Sequence, residues 1–240
     1  MLSKQQIKLI IELRRKKNRV QHKLFVVEGI KVIEEFLQSN FKPYKIYCTT
    51  DYLNPFSINN LEIITEKELK KISEFSNPNQ IFGIFETPNK EKIKNNGFTL
   101  VLDEVNDPGN LGTIIRLCDW FGVNQLVCST NTVDCYNSKV VQASMGSLSR
   151  VSIVYTDLIP FLKNEKRTVY GASLEGNNIY QTKLDKNVLL ILGNEANGIS
   201  NEVKKLITNQ ITIPQFGEVK KTESLNVATA TAILLSEFKR

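Results

Sequence analysis

Leu189-Leu-Ile-Leu-Gly-Asn-Glu-Ala-Asn-Gly198 decides the fold class. With Val188 it begins as an unbroken apolar run, the pattern of a strand covered on both faces of a parallel sheet. The run stops at Gly193, passes through polar and small residues, and reopens as a helix after Gly198-Ile-Ser200. Two other strings have the same form. Asn106-Asp-Pro-Gly-Asn-Leu-Gly-Thr-Ile-Ile-Arg116 follows the apolar stretch 99–103, and Ile213-Pro214 ends a strand before Ser224-Leu-Asn-Val-Ala228 opens the last helix. Open α/β sheets bind ligands beyond the carboxyl ends of their strands, so all three strings are candidate site loops. None is a dinucleotide fingerprint or a phosphate loop.

Outward from these strings, strands and helices alternate through the second half of the chain. Strands are expected at 99–103, 125–128, 151–155, 169–173, 188–192 and 211–213. Helices are expected at 111–121, 139–145, 200–207 and 225–238. That alternation predicts an α/β fold with a mostly parallel sheet. The first part reads as a smaller α/β unit, with helices at 4–17, 29–38 and 66–75 and strands at 24–27, 45–49, 61–64 and 81–86. Thr65 followed by Glu68 is a capping-box signal for the helix at 66–75. Thr87-Pro-Asn-Lys-Glu-Lys-Ile-Lys-Asn-Asn-Gly97 is polar and begins and ends as linkers do, which separates residues 1–90 from residues 98–240.

Composition excludes several classes. With 41% hydrophobic residues among 240, the chain can bury a substantial core. Its apolar runs are far too short to span a bilayer, so no membrane partner is expected. Lys4, Lys8 and Glu12 interrupt the first apolar residues, no signal-peptide block is present, and a cytoplasmic protein is expected. Cys48, Cys118, Cys128 and Cys135 form no closely spaced pair, and the single histidine, His22, is remote from them in sequence. Reduced structural thiols are expected, and no metal site.

Charge is unevenly spread. Residues 1–50 hold 11 Lys/Arg against four Asp/Glu, a net of +7, whereas the whole chain carries +6. The densest run is Arg14-Arg-Lys-Lys17 with Arg19 and Lys23. Such a run reads either as a footprint for a nucleic acid backbone or as a solvated helix face.

Taken singly, each site string has a plain structural alternative. Asn110 is the expected N-cap of the helix at 111–121, and Arg116 lies about two turns further on. Its guanidinium calls for a carboxylate, phosphate or water, and a salt bridge with Asp119 would satisfy it. Gly193 and Gly198 allow backbone to come close to a ligand or simply shape a turn, and Glu195 can accept hydrogen bonds there. Ser224 is the expected cap of the last helix, with Asn226 beside it.

In combination and in this order, the three strings resemble the motifs of the SpoU (TrmH-like) branch of the SPOUT RNA methyltransferases. Those motifs read N-x-G-x-x-x-R, L-G-x-E-x-x-G, and I-P followed by S-L-N-V. Lys139-Val-Val-Gln-Ala-Ser-Met-Gly146 resembles a further family segment, and residues 1–87, Phe25-Val-Val-Glu-Gly29 above all, resemble the family's N-terminal RNA-binding domain. The resemblance implies a deep trefoil knot in the C-terminal domain, which ordinary topology rules would not suggest. It implies S-adenosylmethionine-dependent methylation of a ribose 2'-hydroxyl in RNA, ribosomal RNA ahead of transfer RNA. It also implies a homodimer. Gly193, Glu195, Gly198, Ile213, Pro214 and Leu225 are the implied cofactor-binding positions. Arg116, Asn110, Ser224 and Asn226 are the implied catalytic positions. With no histidine in residues 98–240, a histidine base is excluded there. Family proposals often make the arginine a base, but a guanidinium stays protonated in nearly any protein setting, so electrostatic stabilisation is the preferred role and neutral arginine its rival. The loop 218–223 is longer than in many relatives, and Lys220 and Lys221 in it are either RNA contacts or solvated charges. A non-catalytic RNA-binding or assembly factor is the alternative of a different class.

Overall fold

A computed structural model describes residues 1–50, 60–89, 91–123, 125–219 and 224–240. The chain divides into two compact units, one of residues 1–89 with 134–150 and the other of residues 90–133 with 151–240. The segment 134–150, expected within 98–240, therefore packs as part of the first unit.

In the first unit, α1 (Lys4–Glu12) and α2 (Lys16–His22) precede β1 (Leu24–Glu28), α3 (Ile30–Leu37), β2 (Pro43–Cys48), β3 (Leu61–Ile63), α4 (Glu66–Ile72) and β4 (Ile81–Glu86). The sheet order is β1-β4-β2-β3, with β4 antiparallel to both neighbours and β2 parallel to β3. Ile10, Leu13, Leu24, Tyr47, Leu69, Ile72 and Phe82 form its core on one side. The expected single helix over 4–17 is broken at Leu13–Arg15. The break is held by side chains: Arg19 donates to the Leu13 and Arg14 carbonyls (2.9 and 2.8 Å) and Asn18 to the Glu12 carbonyl (2.9 Å). These donors satisfy carbonyls that a helix end otherwise leaves to water. Arg19 is 4% exposed and also pairs with Asp134 (2.6 Å).

That carboxylate begins the returning segment, which continues through α6 (Ser138–Ser144). The Tyr136 ring lies 4.6 Å from that of Phe25, Ser138 donates to Glu74, and Arg150 pairs with Glu35. Burial raises the pKa of Glu28 above its ordinary value, although Ser73 and the Glu74 amide both donate to its carboxylate.

In the second unit, β5 (Thr99–Leu102), α5 (Pro108–Trp120), β6 (Gln125–Ser129), β7 (Ser152–Thr156), α7 (Leu158–Lys163), β8 (Thr168–Asn178), β9 (Val188–Leu192), α8 (Asn201–Lys204), β10 (Asn209–Thr212) and α9 (Val227–Lys239) follow in order. Six strands pair in the order β10-β8-β9-β5-β6-β7, every pair parallel. All five residues of β9 and all four of β5 are buried, as apolar runs covered on both faces require. Val101, Val127, Leu158, Val169, Leu189, Ile191 and Val203 make one core cluster.

Four expectations need correction. Helix α7 was missing from them, because Pro160 falls inside it. In the first turn proline costs no hydrogen bond, and Asp157 caps the helix through the Ile159 amide. Strand β8 runs to Asn178 rather than 173, and the helix expected over 200–207 is the single turn α8. The caps of α5 and α9 are Asp107 and Asn226 rather than Asn110 and Ser224.

Candidate active site

The site grows from the carboxyl ends of β5, β6 and β9, where loops are tied to one another by side chains. Asn194 donates through Nδ2 to the Glu104 carbonyl (2.8 Å), while its Oδ1 accepts from the amides of Ala196 and Asn197 (2.9 and 3.1 Å). Glu104 stands at φ +59° after β5, and its amide donates to Ser129 Oγ at the end of β6 (2.9 Å). Asp103, buried, accepts from the Ser200 amide (2.8 Å). Asp103, Glu104, Ser129 and Asn194 thus fix the loop frame, and none was singled out from sequence. Their common signal is a polar residue at or just beyond a strand's carboxyl end, short in all but Glu104, which acts here through its main chain.

Gly193 opens the loop after β9. A side chain there would overlap the carbonyl carbon and oxygen of Gly198 and the amide nitrogen of Ile199. The loop folds back on itself, with the Asn194 amide donating to the Gly198 carbonyl (3.0 Å) and the Gly198 amide donating to the Asn194 carbonyl (2.9 Å). Gly198 completes the turn at φ +66°, a left-handed conformation that costs other residues. The close approach that the Gly193 position permits is therefore to its own loop, which leaves Glu195, Ala196 and Asn197 standing out to solvent.

Asp107 caps α5 by accepting from the Asn110 amide (2.7 Å), with Pro108 as the first helical residue. Asn110, relieved of capping, reaches sideways. Its Nδ2 donates to Glu195 Oε1 (2.9 Å), and its Oδ1 accepts from Asn226 Nδ2 (2.9 Å). Asn226 in turn caps α9, its Oδ1 accepting from the Ala228 and Thr229 amides (3.0 and 3.3 Å). Those helix amides settle which way every amide points. Asn226 Oδ1 must accept, so its nitrogen donates to Asn110, whose own nitrogen is then turned toward the carboxylate. One residue from each of the three strings joins this chain.

Arg116 lies six residues beyond Asn110, about 9 Å along the helix axis, on an exposed face with Thr113 and Trp120. Among the described residues it has no ion pair and no hydrogen bond, so the alternative of a salt bridge with Asp119 is not formed. Its guanidinium is available to an incoming anion. On the opposite side of α5, burial pushes the Cys118 thiol far above its ordinary pKa, which keeps it protonated and inert. Ser224 and Leu225 are exposed just ahead of Asn226, and Ile213 and Pro214 are half-buried beyond β10. Lys220 and Lys221 lie outside the described residues.

Gly198, Ile213, Pro214 and Leu225 suit a purine nucleoside carrying a thioether or sulfonium. They present partly exposed apolar surface and loop backbone without positive charge, and Glu195 is the one charged group among the six implied positions. Among the described residues no group of three or more His, Cys, Asp or Glu side chains is placed to hold a metal ion.

The SpoU rRNA Methylase family matches residues 97–236, and an MRM3-like substrate binding domain matches residues 4–83. The chain is 31% identical to the 23S rRNA (guanosine(2553)-2'-O)-methyltransferase RlmP of Bacillus subtilis, over 98% of this chain and 96% of that protein. A solved structure assigned to the TrmH family, from Porphyromonas gingivalis, has a TM-score of 0.92 at 38% identity, covering 99% of this chain and 98% of its own. The AdoMet-bound rRNA methyltransferase of Sinorhizobium meliloti has a TM-score of 0.88 at 29% identity, covering 100% and 95%. The motif loops, their parallel sheet and these matches over nearly the full length have one reading: the chain belongs to the SpoU rRNA methylase family, and its second unit has the SPOUT α/β-knot fold.

Proposed function

We propose that this protein methylates a ribose 2'-hydroxyl of ribosomal RNA, with S-adenosylmethionine as methyl donor. The observation that carries this reading is the chain from Asn226 through Asn110 to Glu195, which joins all three family motifs at the carboxyl ends of the parallel strands. The cofactor supplies a methyl group already activated on a sulfonium. Gly198, Ile213, Pro214 and Leu225 line its pocket, and Gly193 keeps that loop closed.

A ribose hydroxyl is a poor nucleophile until its developing negative charge is stabilised or its proton removed. Arg116 stays protonated, grips the phosphate beside the target ribose and stabilises the forming alkoxide. Asn110 and Asn226, their amides oriented from the α9 cap, position the ribose together with Ser224. Glu195 anchors the end of that chain. The basic surface of the first unit, without the internally bonded Arg19 and the Glu74-paired Arg14, supplies backbone contacts through Arg15, Lys17 and Lys23.

The active assembly is a two-fold homodimer. Support comes from the exposed face of α5, which ends in Trp120 at 84% exposure, and from the small residues Thr229 and Ala230 of the neighbouring α9. The protein works in the cytoplasm, a reading supported by four buried cysteines that form no disulfide.

The deciding experiment measures cofactor binding by calorimetry and labelled-methyl transfer to 23S rRNA from cells lacking the gene. Wild type binds and transfers. Arg116→Ala lowers kcat by about 100-fold or more, the scale of losing a transition-state charge partner, and keeps cofactor affinity within about twofold. RNA binding without any transfer by wild type overturns the enzyme reading, and equal loss of binding and transfer in Arg116→Ala overturns the role given to Arg116.

A further inference from the structure

Two aromatic rings stand side by side on the surface of the second unit without any part in the chemistry above. Tyr180 is 41% exposed and Phe216 is 81% exposed, with ring centroids 6.2 Å apart and planes 32° from parallel. Tyr180 is held by its own chain. Tyr180 sits in a 3-10 turn, Ile179–Gln181, whose first residue is buried. Asn178 Oδ1 accepts from the Tyr180 amide (3.0 Å), and the Thr182 hydroxyl donates to the Asn178 carbonyl (2.8 Å). Phe216 lies two residues beyond Pro214, on the same loop as the proposed cofactor contacts, and its neighbours Gln215, Gly217 and Glu218 are exposed and polar or small.

We propose that Tyr180 and Phe216 form a stacking platform for one unpaired base of the RNA at the site of modification. The inference rests on the RNA methyltransferase reading and adds to it the surface that holds the substrate base. Sequence-specific RNA recognition works mainly on single-stranded loops and bulges, whose splayed bases stack on aromatic side chains. The two rings, tilted 32° to each other, leave the face of the more exposed Phe216 open, and every base has a π-face to lay on it. The rings are too close for a base to slide between them, so the base covers the open face of Phe216 while Tyr180 backs it. Pre-ordering of the Tyr180 turn lowers the entropy lost when the base docks. Two rings alone offer far less area than the roughly 800 Å² per partner of a standard protein interface, which favours a base over a second protein.

The test uses full-length protein and two probes, 23S rRNA from cells lacking the gene and a single-stranded RNA of about twelve nucleotides bearing one 2-aminopurine. Phe216→Ala raises KM for the rRNA about tenfold, within the 5- to 150-fold span of losing one stacked base. It leaves kcat and cofactor affinity within about twofold and abolishes the quenching of 2-aminopurine seen with wild type. Tyr180→Ala has a smaller effect in the same direction, and Phe216→Tyr behaves as wild type. An unchanged KM and unchanged quenching overturn the proposal. So does a loss of cofactor affinity, which makes the ring a cover for the cofactor, or a change in sedimenting mass, which makes it a contact between copies. The quenching reads stacking whether or not methyl is transferred, so failure of the enzyme reading shows up separately, as wild-type protein that quenches but does not methylate.

Discussion

Replacing Gly193 by alanine adds one methyl group where the fold has no room for it. That methyl would overlap three main-chain atoms, the Gly198 carbonyl carbon and oxygen and the Ile199 nitrogen, and no rotamer change moves main-chain atoms aside. Relief requires the 193–198 loop to open, which breaks the paired hydrogen bonds between Asn194 and Gly198. Those two bonds are worth about 1 kcal/mol each, and overpacking adds about 1–3 kcal/mol, so the substitution costs about 3–5 kcal/mol. That is a large share of the 5–15 kcal/mol that typically holds a domain folded. Gly198→Ala is the control from the other end of the loop. Its Cβ would meet nothing within 4 Å, and only the positive φ is strained, a cost of about 1–2 kcal/mol. Equilibrium urea unfolding of the three proteins measures the ranking, and calorimetry with S-adenosylmethionine measures whether loop opening weakens cofactor binding by about tenfold or more. The reasoning is refuted if Gly193→Ala unfolds within about 0.5 kcal/mol of wild type, or if Gly198→Ala loses more than Gly193→Ala.

Two other predictions concern the first unit. Replacing Arg15, Lys17 and Lys23 together by glutamine should flatten the salt dependence of rRNA binding by about two units of log-log slope, from three lost phosphate contacts on a single strand; filter binding across a salt series reads it, and an unchanged slope removes this face from the RNA interface. Glu68, whose carboxylate accepts from the Thr65 amide and then the Leu2 amide, has its pKa lowered from 4.5 to about 2. A lowered carboxylate contributes stability above its unfolded pKa and loses it as pH falls toward the folded one. The stability gap between wild type and Glu68→Gln should therefore be constant near neutral pH and close between about 4.5 and 2. A gap that stays constant through acid denaturation would show that the charge contributes nothing.

The sheet of the second unit was legible because strands buried on both faces leave an apolar run that nothing else explains, as in Val188–Leu192. The capping box at Thr65 was legible for a local reason, since both partners lie within one turn. Caps with several eligible residues were not. Asp107, Asn110, Ser224 and Asn226 are all competent N-caps by type; Asp107 and Asn226 take the caps, accepting from the first helix amides, while the Asn110 side chain bonds to Glu195 and Asn226 instead. The relay itself joins positions more than 80 residues apart, a distance at which no local pattern operates. Charge was the least legible quantity. Arg14 and Arg19 sit in the densest basic run, yet the first is paired with Glu74 and the second is buried against Asp134.

The return of the chain into the first unit at 134–150 limits how the protein can be cut. A gene fragment ending at residue 89 would lack the ring that covers Phe25 and the carboxylate that neutralises Arg19. Removing one partner of a buried pair costs about 3–5 kcal/mol, so the fragment would open the corner between α1 and α2 that presents the basic face. The substrate-binding module matched at 4–83 is thus not a portable cassette in this chain. Grafting it onto another scaffold would mean carrying along a helix encoded between two strands of the other unit.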